Sequence, residues 1–129
     1  MTGYIANIEQ ETLENDNFRK VLFTGNYSQL VVMSVKPGEE IGSEVHGLDQ
    51  FIRIEQGHAK VVLDGEESEV SDDWAVIIPA GTKHNVINTG TEDLKLYSLY
   101  SPPEHKDGTI HKTKADEEEE HFDGDTSLD

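Results

Sequence analysis

The sequence predicts an all-β domain of antiparallel strands closed into a barrel or jelly roll, and three observations carry that expectation. Turn signals recur at short intervals, at Pro37-Gly38, Gln56-Gly57, Asp64-Gly65, Ser71-Asp72-Asp73, Pro79-Ala80-Gly81 and Asn88-Thr89-Gly90. Between them lie short apolar runs rich in β-branched residues, at 30–35, 51–54, 59–63, 75–78, 86–87 and 94–99, the composition that fits a pleated, half-buried surface. No long segment keeps a helical period; residues 5–13 come nearest, and an extended reading fits them equally well.

Taken in order, residues 1–25 form an N-terminal extension that pairs with the barrel, 26–101 the barrel itself, and 102–129 a Pro-containing segment running into an acidic, mobile tail. Asp64-Gly65 is a favoured tight hairpin turn between two strands. Alternation along a strand sorts its side chains between two faces. If Gln50 faces inward, so do Ile52 and Ile54, which leaves Phe51, Arg53 and Glu55 outside. By the same parity His84 shares its face with Val86 and Asn88, while Lys83, Asn85 and Ile87 turn away. Phe51 and members of the Val31, Met33, Val35 set are then outward apolar residues that need a cover, from the region 18–23, a second sheet or a partner subunit. Edge strands on so small a barrel also need pairing, and a homodimer is expected.

Composition narrows the chemistry. A chain of 129 residues is the size of one domain with one core. The formal charge of −17, from 27 acidic against 10 basic residues, disfavours nucleic acid and anionic membranes as partners. No apolar run approaches membrane-spanning length, and residues 1–10 lack the basic start and apolar middle of a secretory signal, so a cytoplasmic location is expected. Acidic residues crowd toward the C-terminus, where 116–120 reads Asp-Glu-Glu-Glu-Glu; such runs usually stay solvated. With no cysteine, a bound metal meets only nitrogen and oxygen from His, Glu, Asp and amides.

Two stretches gather such ligands. In the first, Gly38 is followed after five residues by Glu44-Val45-His46, then Gln50, then Gly57; in the second, Pro79-Ala80-Gly81 precedes His84 and Asn88. Glu44 and His46 are two apart and project to one side of an extended strand. Gln50 joins them from the next strand, and a closed barrel brings His84 opposite. At this spacing the chain resembles the cupin superfamily. The first cupin motif reads Gly, five residues, His-x-His, three or four residues, Glu, six residues, Gly; Gly38, His46 and Gly57 match, while Glu44 stands for the first His and Gln50 for the Glu. In the second, Pro79, Gly81, His84 and Asn88 match and Asp73 takes the leading Gly place. The resemblance covers roughly residues 30–101 and implies a single cupin jelly-roll β-barrel.

It also implies one divalent metal ion per barrel, Zn, Fe, Mn, Ni or Co, held by Glu44, His46, Gln50 and His84. The substitutions move the one carboxylate to Glu44 and keep the charge of the ligand set unchanged. Compact single-barrel cupins of this appearance are often of the mannose-6-phosphate-isomerase-like kind. The expected function is therefore a metalloenzyme of isomerase or epimerase type acting on a small carbonyl or sugar-like substrate, with Glu44 and His84 as the catalytic candidates. An Fe(II)-dependent dioxygenase and a non-catalytic ligand-binding or sensing barrel are the alternatives. The inward set contains no Lys or Arg, which argues against a phosphorylated substrate. Of the remaining residues, His58 is expected exposed at the start of a strand and His121 solvated. His105 and His111 follow two prolines in a segment that either leads into the tail or folds over the barrel mouth as a lid. Tyr27, Tyr97 and Tyr100 are candidate proton donors, although tyrosines on strands more often pack.

Overall fold

The structure is a computed structural model that describes residues 2–118 and 120–129. The described residues form one short α-helix, α1 (Ile8–Glu14), a 3-10 turn at Lys114–Asp116, and nine strands: β1 (Arg19–Thr24), β2 (Gln29–Val35), β3 (Asp49–Gln56), β4 (His58–Leu63), β5 (Glu66–Ser71), β6 (Ala75–Ile78), β7 (His84–Asn88), β8 (Leu94–Ser101) and β9 (Ile110–His111). A six-stranded sheet in the order β6-β3-β8-β2-β1-β9 faces a three-stranded sheet in the order β5-β4-β7. All named pairings are antiparallel. None of the described helices is long and apolar enough to cross a membrane.

The core is filled by the alternate residues that the strands turn inward. On β3 and β7 the parity follows the sequence: Gln50, Ile52 and Ile54 are buried, as are His84, Val86 and Asn88. On β2 it does not. Register pairs Met33 with Leu96 and Ile54 with Leu96, and Val31 with Ser98, which Ile52 also faces; Val31, Met33 and Val35 therefore point into the core. Val32 is the outward residue, yet it too has no exposed surface. A strand buried on both faces loses its alternation, and this is why the assignment of that set to the outer face was mistaken. The cover on this side includes α1, which packs on β8, β3 and β2. Of the two conformations that residues 5–13 fit, the helical one occurs, because the Asn7 side chain accepts from the Gln10 amide and caps the first turn.

Turn chemistry agrees with the sequence at the decisive places. Asp64 and Gly65 both take positive φ, +48° and +85°, as a two-residue hairpin requires. Asp73, in the motif place otherwise held by Gly, has φ +72°, a left-handed conformation that Asp tolerates better than most side chains. The motif residue Asn88 is structural. Its amide donates to the carbonyls of Val35 at 2.8 Å and Glu92 at 2.9 Å, and its oxygen accepts from the Gly90 amide, tying the end of β7 to β2.

The C-terminal segment runs back over the barrel. β9 pairs with β1 through Arg19↔His111 and Lys20↔Ile110. His105 and His111 are buried, and the Gln29 amide group both donates to the His105 carbonyl at 2.8 Å and accepts from the His105 amide at 2.9 Å. Further along, Lys114 donates to the carbonyls of Glu40 at 2.5 Å and Ile41 at 3.0 Å, and the Ser127 amide to Thr24 at 2.8 Å. Composition suggests a solvated tail here, but long-range pairs, which composition does not register, anchor the segment to β1 and β2.

Candidate functional site

Glu44 lies just before β3 in a stretch that runs alongside β7. Its backbone and that of His84 exchange both amide hydrogen bonds, each at 2.9 Å, which sets the two residues directly opposite each other. His46, two residues on, accepts at its carbonyl from the Gly81 amide at 2.8 Å. The Pro79-Ala80-Gly81 turn thus holds the first motif against the second. The rings of His46 and His84 have centroids 5.2 Å apart, and the Glu44 carboxylate meets His46 Nε2 at 2.9 Å. Three of the four expected ligands are therefore brought together by backbone pairing.

Gln50 reaches the same cluster through Tyr100. Its Nε2 donates to the Ser98 hydroxyl at 3.2 Å and the Tyr100 hydroxyl at 3.3 Å, and the Tyr100 ring stands edge-on to His46, with centroids 6.0 Å apart. The amide oxygen of Gln50 is buried with no hydrogen-bond partner among the described residues. His84 Nδ1 lies 3.0 Å from the Thr82 carbonyl, so that nitrogen is the donor and Nε2 is the one left for a ligand. This is the backbone acceptor that a metal-ligating imidazole requires on its other nitrogen. Of the three tyrosines considered, only Tyr100 belongs to the site; Tyr27 is exposed, and Tyr97 packs beside Phe51 on the outer face.

Electrostatics bind Glu44 and His46 into one unit. Burial works to raise the Glu44 pKa, but the hydrogen bond from His46 and the charges of His46, Arg19 and His84 outweigh it and hold the carboxyl below its ordinary value. The Glu44 hydrogen bond, opposed by burial and helped by Glu104, raises His46. Tyr100 is pushed up by burial. His105, whose ring is edge-on to Tyr100 at 5.2 Å, is lowered to about 3, by burial first and then by the positive charges around it.

Above this cluster opens a cavity of about 640 Å³ whose lining includes Glu44, His46, Arg19, Glu104, His105 and Glu117. Gln50 and His84 do not line it and are almost fully buried, at 4% and 6% exposure. The C-terminal segment supplies one wall: Glu104 lies 3.6 Å from His46 Nδ1 and 3.0 Å from His121 Nδ1, so His121, although exposed, is not purely solvated. Arg19 corrects the expectation of an inward set without a cation. It is 2% exposed, on the core-facing parity of β1 opposite Met33, and its Nη1 donates to Glu117 at 2.6 Å. Alternation with Val21 could have found it; the charge concealed it.

Among the described residues no group of three or more His, Asp and Glu side chains is arranged to hold a metal ion. Glu44 occupies the His46 nitrogen that a cation would take. The donor types nevertheless suit a divalent ion, since an amide oxygen with no hydrogen-bond partner among the described residues, two imidazoles and a carboxylate belong to this part of the barrel.

Comparison with known proteins agrees with the fold. The chain is similar to YrkC, an uncharacterized protein of Bacillus subtilis, at 48% identity in an alignment of 120 residues that covers 88% of this chain and 64% of that protein; it thus spans less than two thirds of that relative. It is similar to the uncharacterized protein L612 of Acanthamoeba polyphaga mimivirus, at 43% identity over 113 residues, 83% of this chain and 70% of that one. The crystal structure of BH2720 from Bacillus halodurans superposes with a TM-score of 0.86 at 49% identity, covering 88% of this chain and 91% of that one. Residues 31–100, more than half of the sequence, match the cupin domain family, and with two sheets of antiparallel strands enclosing both motifs the chain belongs to the cupins.

Proposed function

We propose that this cupin is a metal-dependent enzyme of isomerase or epimerase type for a small carbonyl or sugar-like substrate, with one divalent cation held by Glu44, His46, Gln50 and His84. The observation that carries the reading is the Gln50 amide oxygen, an acceptor buried in the barrel without a hydrogen-bond partner among the described residues, because leaving such a group unsatisfied costs about 1–3 kcal/mol unless something binds it. A bound divalent ion would supply polarisation of a substrate carbonyl oxygen.

The chain's own groups do the rest. Glu44 is kept ionised at the cavity wall, so one of its oxygens can accept the proton released when a C–H bond beside the carbonyl breaks. The same oxygen returns that proton to the former carbonyl carbon while the hydroxyl proton of the adjacent carbon passes to the former carbonyl oxygen, so the substrate is rearranged with no net oxidation. His84, whose Nδ1 donates to the Thr82 carbonyl, would offer its other nitrogen to the cation. The C-terminal segment forms one wall of the cavity beside His46.

The test has two parts. Elemental analysis of protein purified without added metal, then offered Zn²⁺, Fe²⁺, Mn²⁺, Ni²⁺ and Co²⁺ in turn, should find about one ion per chain, and failure to take up any of them ends the metal reading. Incubation in D₂O with a panel of sugars and keto acids should then show deuterium entering beside a carbonyl. Full metal loading with no exchange on any member would end the enzyme reading. A second reading, ligand binding without catalysis, is favoured by the direct contact of Glu44 with His46, and ligand affinity unchanged by stripping all metal would support it. For assembly, the homodimer reading draws on Ile77, 67% exposed on the edge strand β6, and on its cross-strand neighbours Phe51 and Leu99.

A further inference from the structure

We propose that Arg19 is the carboxylate-binding group of the cavity and that Glu117 is its internal placeholder, so that the substrate carries a carboxylate which exchanges with Glu117; this rests on the cavity being a substrate site, as proposed above. Arg19 is almost completely buried, yet it lines the cavity. Its Nη1 donates to Glu117 and lies 3.3 Å from His111 Nδ1, whereas its buried Nε has no hydrogen-bond partner among the described residues. A guanidinium is a planar fork suited to two parallel bonds with a carboxylate. Glu117 takes up one side of that fork and leaves donor capacity unused.

The two partners differ in how firmly they are held. The Arg19 side chain is 3% exposed and that of Glu117 is 32% exposed. Arg19 is fixed in β1, with its guanidinium 5.3 Å from the centre of the Phe18 ring, while Glu117 follows a single short turn at Lys114–Asp116 and can move into water. Exchange of one carboxylate for another leaves the charge around Arg19 unchanged, which matters in a cavity that Glu44, Glu104, Glu118 and Glu120 also line. The same acidic wall disfavours a phosphate dianion, since a single buried guanidinium would have to offset two negative charges. Lys114, the other cation at the mouth, is engaged with backbone carbonyls.

The test uses the full chain, with and without a divalent ion, and a matched pair of probes. Glucuronate differs from glucose by a carboxylate in place of a hydroxymethyl group; pyruvate and glucose 6-phosphate complete the set. Titration followed through the ¹⁵N–¹H signal of Arg19 Nε should show glucuronate or pyruvate binding at least tenfold tighter than glucose. Arg19→Gln should abolish that preference, and Glu117→Gln should tighten the carboxylates several-fold by removing their competitor. Equal affinity for glucuronate and glucose, no response to either carboxylate, tighter binding of glucose 6-phosphate, or an unchanged affinity in Glu117→Gln would each overturn the proposal. Discrimination that persists in metal-free protein would uphold the carboxylate site even if the metal reading fails. Because Arg19 is buried, a thermal melt of Arg19→Gln accompanies the titration, and the Glu117→Gln result decides if that variant does not fold.

Discussion

Gln50 and Tyr100 face each other across β3 and β8, and the amide nitrogen of the one donates to the hydroxyl of the other while the amide oxygen is left buried and unpaired. The polarity of Gln50 is thus only half used by the fold. Gln50→Leu should leave the stability of metal-free protein within about 1 kcal/mol of the original, because it removes an unsatisfied acceptor along with a donor whose hydroxyl partners can reorient. Cation affinity should fall at least tenfold. Urea unfolding and metal titration check both outcomes, and a stability loss above about 3 kcal/mol would show that the amide serves the core instead.

The Glu44–His46 pair sets a pH window. His46 is raised, so its share of stability is complete below its ordinary value and disappears as pH climbs through the folded value. Glu44 is lowered, so its share is complete above the ordinary carboxylate value and disappears as pH drops through the folded one. The pair therefore contributes between these two limits, on the order of 1 kcal/mol for partly buried charges. Glu44→Gln should shift the His46 titration downward, as seen by NMR, and an unmoved titration would contradict the contact at 2.9 Å.

His105 predicts acid sensitivity. Its pKa falls from an ordinary value of 6.5 to about 3, so in acid the unfolded chain binds a proton that the folded chain refuses. The His105 contribution is constant above about pH 6.5 and lowers stability by about 1.4 kcal/mol per pH unit below it, until the folded value is reached. Urea midpoints across this range should fall more gently for His105→Gln than for the original chain. Parallel slopes would show that the imidazole is already solvated.

Gly57 has φ +111°, and a Cβ there would come within 3.3 Å of the Leu94 backbone. Gly57→Ala should destabilise the barrel by about 1–3 kcal/mol through strain and crowding together. Thermal unfolding measures this. A change under about 0.5 kcal/mol would mean that the motif glycine is not required by the backbone.

Placing a charge on the exposed edge should separate the proposed dimer. Ile77→Lys is expected to give monomers by sedimentation, with an unchanged melting profile at low concentration, because Ile77 is 67% exposed within one chain. Wild-type protein that sediments as a monomer at all concentrations would remove the homodimer reading.

The site was legible in the sequence wherever local period and turn chemistry fix direction. His84, Val86 and Asn88 alternate behind a Pro-Ala-Gly turn, and Gln50, Ile52 and Ile54 alternate on β3, so their shared inward face could be read from spacing alone. The outward placement of the Val31, Met33, Val35 set fails, because β2 is buried on both faces and its apolar run does not mark which face turns inward. Arg19 was missed for a different reason. A buried cation is unusual enough to be passed over, and its partner Glu117 lies 98 residues away.

By itself the sequence determined six of the nine described strands, β2, β3, β4, β6, β7 and β8, the turn residues between them, and the presence of two imidazoles, a carboxylate and an amide at family spacing, since these depend on neighbours within a few residues. Only the tertiary structure decided that Glu44 closes on His46, that the Gln50 amide nitrogen meets Tyr100 while its oxygen is buried without a partner among the described residues, and that the acidic C-terminal segment brings Glu104 and Glu117 to the cavity. Those relationships join residues far apart in the chain. They follow from sheet register and packing, which no local pattern encodes.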